Sequence, residues 1–141
     1  MTNYLLDTNI LSELRKPQTV RNPHVVAWFS TVGTGHLYTS SISIFEIEYG
    51  IALKSRTDPK QGEILRRWFH RLRKQLQFRC IYFNEEAASY AATFNVPDPK
   101  DQLDSFIAGI AAANGMTIAT RNTKHFASIP VPIVNPFEFE A

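Results

Sequence analysis

The sequence predicts an α/β fold in which helices flank a central, mostly parallel sheet of about four to five strands. Short apolar segments of β type alternate with helical segments along the whole of the 141 residues. This alternation is typical of parallel strands joined by crossover helices, and the length suits a single domain over residues 1–141. We therefore expect one three-layer α/β sandwich.

Five segments are predicted as strands because they are short, apolar and bounded by residues that favour turns or helix caps. The first strand stops at Asp7, Thr8 and Asn9, and the second ends in hydroxyl-bearing residues that can cap the next helix. The predicted strands are Tyr4–Leu6, Leu37–Ser40, residues 79–83, Thr117–Ala119 and residues 131–134.

Six segments are predicted as helices from apolar residues that recur at helical spacing. The longest covers residues 59–77, and its apolar stripe lies opposite a face of arginines. The residues of that stripe are Ile64, Leu65, Trp68, Phe69, Leu72 and Leu76. The other helices are residues 10–14, a helix beginning near His24, a helix after Ser40 that carries Glu46 in its second turn, Glu85–Phe94, and a helix from about Lys100 or Asp101 to Asn114.

The composition argues against several classes of protein. Cys80 is the only cysteine, so no internal disulfide forms and no zinc-type Cys/His spacing exists. The apolar stretch before Asp7 is too short for a signal-peptide core, and residues 106–113 fall well short of the ~20 apolar residues of a membrane span. We expect a cytoplasmic protein without a membrane segment.

Positive charge is concentrated in one segment although the net charge is only +2. Nine Lys and Arg residues fall between Lys54 and Arg79 against two acidic residues, whereas the remaining chain holds six basic and eleven acidic residues. Such a segment can attract a phosphate backbone. A solvated helix face explains it equally well, and both interpretations stay open.

Three carboxylates are candidates for a common site. Asp7 follows the first strand, and parallel sheets bind ligands beyond the carboxyl ends of their strands. Each acid also has a structural explanation: Asp7 as a helix cap, Glu46 as a surface residue between core positions, and Asp104 as a favourable charge in the first turn of a helix. Asp98 and Asp101 are interpreted as loop or cap residues.

Three converging carboxylates require a cation, because each close pair repels by about 4 kcal/mol at ~4 Å in a medium of dielectric constant near 20. A site of oxygen ligands without clustered His or Cys suits Mg²⁺ or Mn²⁺. Such an ion can activate a water for hydrolysis of a phosphodiester. A phosphoacceptor receiver domain fits less well, since Thr8 stands where a second acid is needed, and no Gly-x-Ser-x-Gly motif indicates acyl transfer.

Four blocks of sequence, spread over nearly the full length, carry a family resemblance. They are Leu5-Leu6-Asp7-Thr8-Asn9, residues 41–50 (SISIFEIEYG), residues 104–108 (DSFIA) and residues 120–126 (TRNTKHF). In this order and spacing the chain resembles the PIN-domain nucleases, and among them the VapC-type toxins of bacterial toxin–antitoxin pairs, including the FitB-like branch. Their fold is a PIN-like three-layer sandwich.

The resemblance implies that Asp7 and Asp104 are the principal metal ligands and that Glu46 is the third acid, binding directly or through water. Gly50, at the family's offset, selects Glu46 over Glu48. The family's fourth acidic position falls where Asn122 or, in many members, His125 stands, and neither is a carboxylate. We therefore expect one firmly held metal rather than two.

The resemblance also implies supporting roles in the first and last blocks. Asn122 offers an amide oxygen to a metal or its water, and Thr120 offers a hydroxyl. Arg121 contacts either phosphate or a neighbouring acid. Thr8 and Asn9 shape the turn after the first strand.

The implied activity is that of an Mg²⁺- or Mn²⁺-dependent endoribonuclease that cuts structured or single-stranded RNA as the toxin of such a pair. The implied partners are the RNA substrate, a cognate VapB-like antitoxin whose tail fills the acidic groove, and a second copy in a homodimer. The alternative, motivated by the neutral fourth position, is a catalytically weakened PIN module that only binds nucleic acid or a partner.

Overall fold

The computed structural model describes residues 1–76 and 79–141, and within them five strands form one parallel sheet. The strands are β1 (Tyr4–Leu6), β2 (Leu37–Ser40), β3 (Cys80–Ile81), β4 (Thr117–Ala119) and β5 (Ile133–Val134). Their order is β3-β2-β1-β4-β5, which places β1 at the centre, where the strand order reverses. The carboxyl end of β1 is therefore where an open α/β sheet binds its ligand.

Seven α-helices connect the strands in the described part of the chain. They are α1 (Thr8–Glu13), α2 (Pro23–Val32), α3 (Ser41–Thr57), α4 (Pro59–Gln75), α5 (Glu85–Phe94), α6 (Gln102–Asn114) and α7 (Thr123–Phe126). Short polar side chains cap most of them: Ser40 accepts from the Ser43 amide at the start of α3, and Asp101 accepts from the Asp104 amide at the start of α6. Gly115 ends α6 in the left-handed conformation.

The helices cover both faces of the sheet, which confirms the predicted three-layer α/β sandwich. Leu6 of β1 and Ala119 of β4 face a core built with α1 to α4, whereas Leu5 and Ile118 face a second core built with α5 and α6. Alternate residues of a strand point to opposite faces, so both cores meet at the central strands. Trp28 and Phe69 lie in the first core.

Several bounds differ from the sequence prediction. Strands β3 and β5 contain two residues each, and α4 ends at Gln75, while the predicted helix end at Gln77 lies outside the described residues. The stripe of α4 is narrower than predicted, because Ile64 is 57% exposed while Leu65, Phe69 and Leu72 are buried. The four-residue helix α7 was not predicted, since four residues are too few for a periodic pattern.

Close packing between helices depends on two glycines. A Cβ on Gly109 of α6 would overlap the backbone of Ala87 in α5, and a Cβ on Gly62 of α4 would overlap Ser55 of α3. Because neither position carries a Cβ, the two helices of each pair can approach closely.

No helix among the described residues combines the length and the apolar character that crossing a membrane requires.

Candidate active site

Asp7 lies at the carboxyl end of β1 and is only 5% exposed. Its Oδ1 accepts a hydrogen bond from the Thr8 amide at 2.8 Å. The side chain therefore caps α1, as the structural explanation of Asp7 predicted. Its Oδ2 accepts from the Thr120 hydroxyl at 2.8 Å and from the Asn9 amide at 3.2 Å. These three hydrogen bonds fix the orientation of the Asp7 carboxylate beside the carboxyl end of β4.

Thr120 and Asn9 join the ends of β1 and β4. The Thr120 side chain is fully buried, and its Oγ1 also accepts the Asn122 backbone amide at 3.0 Å. Asn9 Oδ1 accepts the Arg121 backbone amide at 3.1 Å. The first and fourth blocks of the sequence thus form one hydrogen-bonded unit around Asp7.

Glu46 comes to this unit from α3 and is held by α1. The Thr8 hydroxyl donates to Glu46 Oε1 at 2.9 Å and lies 3.1 Å from the hydroxyl of Ser43, which is buried one turn earlier on α3. Glu46 is thus a partly buried residue that is hydrogen-bonded to the turn after β1. Glu48, by contrast, is exposed and lies 3.8 Å from Arg73.

Asp104 enters from the first turn of α6, and its side chain is 16% exposed. Its Oδ2 lies 3.0 Å from Nδ1 of His125 on α7. His125 is one of the two residues that stand at the family's fourth acidic position, and it contacts Asp104, which was predicted as a principal ligand. Asp101 caps α6, which confirms its interpretation as a cap residue.

The three carboxylates share an electrostatic environment. Burial, reinforced by the charges of Asp7 and Asp104, raises the pKa of Glu46. Burial also raises the pKa of Asp104, and the charges of Asp101 and Asp7 add to this, while His125 opposes it. Burial raises the pKa of Asp7, which hydrogen bonds from Thr120, Thr8 and Asn9 offset in part. An ionised state of all three is therefore unfavourable without a compensating positive charge.

The donor set of these residues consists of oxygens, which suits a hard divalent cation. In the described part of the chain, no three His, Cys, Asp or Glu side chains already form a compact cluster that could hold a metal ion. Mg²⁺ needs no such cluster, because it is commonly bound through one or two carboxylates while it keeps several waters. The residues present therefore fit a cation bound by few protein ligands.

Asn122 and Arg121 lie on the exposed surface next to this unit. Asn122 precedes α7 and is linked to the site by its backbone amide, through Thr120. The guanidinium of Arg121 lies over the ring of Phe137 at 4.4 Å from its centroid. The sequence left two contacts open for Arg121, with phosphate or with a neighbouring acid. The charge of Arg121 helps to lower the pKa of Glu13, which is an interaction of the second kind at long range.

Two neighbours of the carboxylates were not predicted as site residues. Ser43 contacts the Thr8 hydroxyl, which donates to Glu46, and His125 contacts Asp104 although it was considered only as a replacement for an acid. Ser43 lies three residues before Glu46 on the same helix, a spacing that places both on one face, so helical periodicity was the available signal. The contact of His125 with Asp104 has no local signal, because it joins two separate segments.

Comparisons with known proteins show similarity over nearly the full length of the chain. The model of the PIN domain family matches residues 4–131. The chain is 48% identical over 66 residues to the ribonuclease VapC14 of Mycobacterium tuberculosis, an alignment that covers 47% of this chain and 62% of that protein. It is 31% identical to the toxin FitB of Neisseria gonorrhoeae, over 94% of this chain and 97% of the toxin.

The fold is also similar to a solved structure. The crystal structure of FitAcB from Neisseria gonorrhoeae superposes with a TM-score of 0.85 at 30% identity, covering 96% of this chain and 99% of that chain. The carboxylates at the ends of β1, on α3 and on α6 therefore occur in a fold shared over nearly the full length.

Proposed function

The chain belongs to the PIN domain family, and on that premise we propose that it is a divalent-metal-dependent endoribonuclease, the toxin of a toxin–antitoxin pair. The observation that carries this proposal is the convergence of Asp7, Glu46 and Asp104 from separate segments, with the charge of Asp7 raising the pKa of both other acids. The names of the similar proteins, a ribonuclease and a toxin, support the same activity.

Asp7 and Asp104 are the residues proposed to hold the cation, with Glu46 binding directly or through water. A bound Mg²⁺ or Mn²⁺ would polarise the phosphoryl oxygen, lower the pKa of a water and orient its attack on phosphorus. Thr120 and Asn9 keep the Asp7 carboxylate oriented, and Thr8 does the same for Glu46. These hydrogen bonds fix the carboxylates before the substrate arrives, which limits reorganisation during the reaction.

The test is cleavage of labelled RNA by the purified protein with Mg²⁺, with Mn²⁺ and with EDTA. We expect cleavage with either metal and none with EDTA, and a loss of more than about 100-fold in Asp7→Asn and Asp104→Asn, since even residues that only support metal ligands are worth 10–100-fold. Asp98→Asn, an exposed acid outside the site, serves as the matched control. Full activity of Asp7→Asn would refute the proposed site.

A second candidate function is a binding module without catalysis. The observation that favours it is the pair Asn122 and His125, neither of which is a carboxylate, with His125 already in contact with Asp104. RNA binding that is independent of metal and yields no cleavage products would decide for this module. Sequencing of RNA ends after controlled expression distinguishes the two in cells, because only the nuclease produces a recurrent cut that Asp104→Asn abolishes.

We further propose that the protein works with a VapB-like antitoxin and as a homodimer. Three large apolar residues at helical spacing on α3, Phe45, Tyr49 and Leu53, are each more than half exposed, and the rings of the first two stack at 5.9 Å. A second copy would cover this stripe. Sedimentation should give twice the chain mass for the wild type and a single chain mass for Tyr49→Glu. Tyr82→Glu, which changes an exposed tyrosine outside α3, should stay dimeric.

A further inference from the structure

Two cavities with a common wall lead away from the candidate active site. The first, of about 620 Å³, lies between α1, α3 and α4 and begins at Thr8 and Glu46. The second, of about 420 Å³, lies beside the carboxyl end of α1 and the outer part of α4. Arg15 and Trp68 line both cavities, which are therefore adjacent, and we call the two together the basic groove.

The charges in the basic groove change along its length. Glu46 lies at the end next to Asp7, and Asp58 in the first cavity already uses its carboxylate to cap α4 through the Gln61 amide. The far cavity is lined by positive side chains and no acid: Arg15, Lys16, Arg21 and Arg71. The groove therefore joins an acidic end, which suits a cation, to a basic end, which suits phosphates.

Three of the cations have charge to offer a ligand. Lys16 pairs with Glu13 at 3.0 Å, and Arg21 donates to the backbone oxygens of Leu14 and Lys16. For Arg15, Lys54 and Arg71, in contrast, no ion pair exists among residues 1–76 and 79–141. These three side chains line the groove and have no charge partner in the described chain.

Gly50 keeps the wall of the groove open. It lies on the same face of α3 as Glu46 and Lys54, one turn from each, and lines the first cavity. A glycine inside a helix costs about 1 kcal/mol relative to alanine. Packing gives no reason for it, because a Cβ at Gly50 would have no atom within 4 Å. The open space over Gly50 connects the acidic end of the groove to its first cation.

We propose that the basic groove holds the single-stranded RNA that extends from the scissile phosphate, with Arg15 and Lys54 binding its phosphates and Gly50 leaving room for its backbone. This rests on the proposed function. Trp68, which lines both cavities, offers a ring on which an unpaired base stacks. The bases of an A-form duplex are not available for such stacking, so the groove selects single strands and loops.

The test is binding of a fluorescein-labelled single-stranded RNA of about 12 nucleotides, followed by anisotropy in EDTA so that no cleavage occurs. The double variant Arg15→Gln/Lys54→Gln should bind at least about 10-fold more weakly, and the slope of log affinity against log salt should fall by about 1.4, since each phosphate contact on a single strand contributes ~0.7. Arg56→Gln/Lys60→Gln removes the same charge from exposed positions outside the groove and should change affinity less than about twofold.

Gly50→Leu tests whether RNA binding needs the open space over Gly50, and it changes no charge. Leucine is the better helix former and its Cβ has no neighbour within 4 Å, so Tm should stay the same or rise while RNA affinity falls by about 10-fold. Wild-type affinity in Gly50→Leu, or an equal loss in both double variants, would overturn the proposal. So would substitutions in the groove that leave RNA binding intact and weaken only the complex with an antitoxin.

Because binding is measured without metal, the experiment tests the groove proposal and the proposed nuclease activity separately. Wild-type protein that binds RNA through Arg15 and Lys54 but does not cleave it with Mg²⁺ or Mn²⁺ would refute the proposed function and support the groove. Cleavage that persists at wild-type rates in the double variant, with unchanged binding, would overturn the groove and leave the nuclease intact.

Discussion

The hydroxyl of Thr120 donates a 2.8 Å hydrogen bond to Asp7 Oδ2 across 113 residues of sequence. It thereby joins the carboxyl ends of β1 and β4, the two adjacent strands between which the strand order reverses. This bond lowers the pKa of a carboxylate that burial raises, so Thr120 helps to keep Asp7 ionised for a cation.

Thr120→Val should therefore shift the pH dependence of cleavage. Valine keeps the volume but removes the hydroxyl, so the pKa of Asp7 rises further and the acid limb of the profile moves to higher pH. Activity at a fixed neutral pH should fall by about 10–100-fold, as for other residues that support metal ligands. The measurement is the cleavage rate against pH at saturating metal.

Thr39→Val is the matched control for Thr120→Val. Thr39 is a buried threonine of β2 whose hydroxyl has no hydrogen-bond partner within the described residues. Its replacement by valine should leave the profile unchanged and keep or increase stability, since an unsatisfied buried hydroxyl is lost. Equal shifts in both variants would mean that Thr120 acts through packing alone.

The metal-free protein should lose stability as pH rises. Asp7, Glu46 and Asp104 have raised pKa values when folded, so above their ordinary values near 4 the unfolded chain releases protons that the folded chain retains. The free energy of unfolding should therefore decrease with increasing pH until the raised pKa values are passed, and Mg²⁺ or Mn²⁺ should reverse the decrease by binding the folded state.

Asp104→Asn should make that pH dependence shallower. Removal of one charge from the group should raise Tm of the metal-free protein at pH 7 by about 2–5 °C, whereas cleavage is lost. Thermal unfolding in EDTA at several pH values measures this. Asp98→Asn should leave the curve as it is, and a lower Tm for Asp104→Asn would contradict the proposed repulsion.

Glu13 should show the opposite dependence on pH. Burial raises its pKa, but the Asn22 amide at 2.7 Å and Lys16 at 3.0 Å outweigh burial and lower it overall. Its stabilising contribution is therefore present above the ordinary glutamate pKa and is lost as pH falls through the lowered value. Glu13→Ala should cost about 1.5–3 kcal/mol of unfolding free energy at pH 7 and less in acid.

The control for Glu13→Ala is Glu63→Ala. Glu63 pairs with Arg66 and Arg67 at 3.3 Å, but its side chain is half exposed, so its loss should cost at most about 1 kcal/mol. Chemical denaturation of both variants at two pH values provides the comparison. A similar cost for the two residues would show that burial of Glu13 does not strengthen its contacts.

Gly109→Val should separate α5 from α6. Any Cβ there overlaps the Ala87 carbonyl oxygen, which is backbone and cannot move aside without displacing the helix. We expect a loss of about 1–3 kcal/mol in denaturant unfolding, typical of overpacking, or failure to fold. Gly50→Ala should be neutral or stabilising by up to about 1 kcal/mol, because its Cβ meets no neighbour.

The parts of the fold that the sequence predicts correctly are those with strong local signals. Strands β1, β2 and β4 and helix α5 have the predicted bounds, because short apolar segments bounded by turn or cap residues define the strands and acidic residues mark the first turn of α5. The bounds of β3 and β5 were too long. Their pairing is limited by the neighbouring strand, which no local pattern records.

The candidate site divides in the same way. The predicted acids lie where strand ends and helix starts place them, but the contact of His125 with Asp104 and the bond from Thr120 to Asp7 depend on tertiary structure. The basic segment is another example. Its Lys54 and Arg71 line the groove while Arg56 and Lys60 face solvent, a division that depends on how α3 packs against α4.

Because β1 lies beside β4 in the sheet, the surroundings of Asp7 are completed by residues that are synthesised much later. The ribosome delivers Asp7 first, yet the neighbour that completes its hydrogen bonds, Thr120, emerges 113 residues later. A nascent chain that ends before Thr120 therefore holds Asp7 without the hydrogen bond that orients it. The proposed nuclease site is thus complete only after the ribosome has added β4 and the residue that follows it.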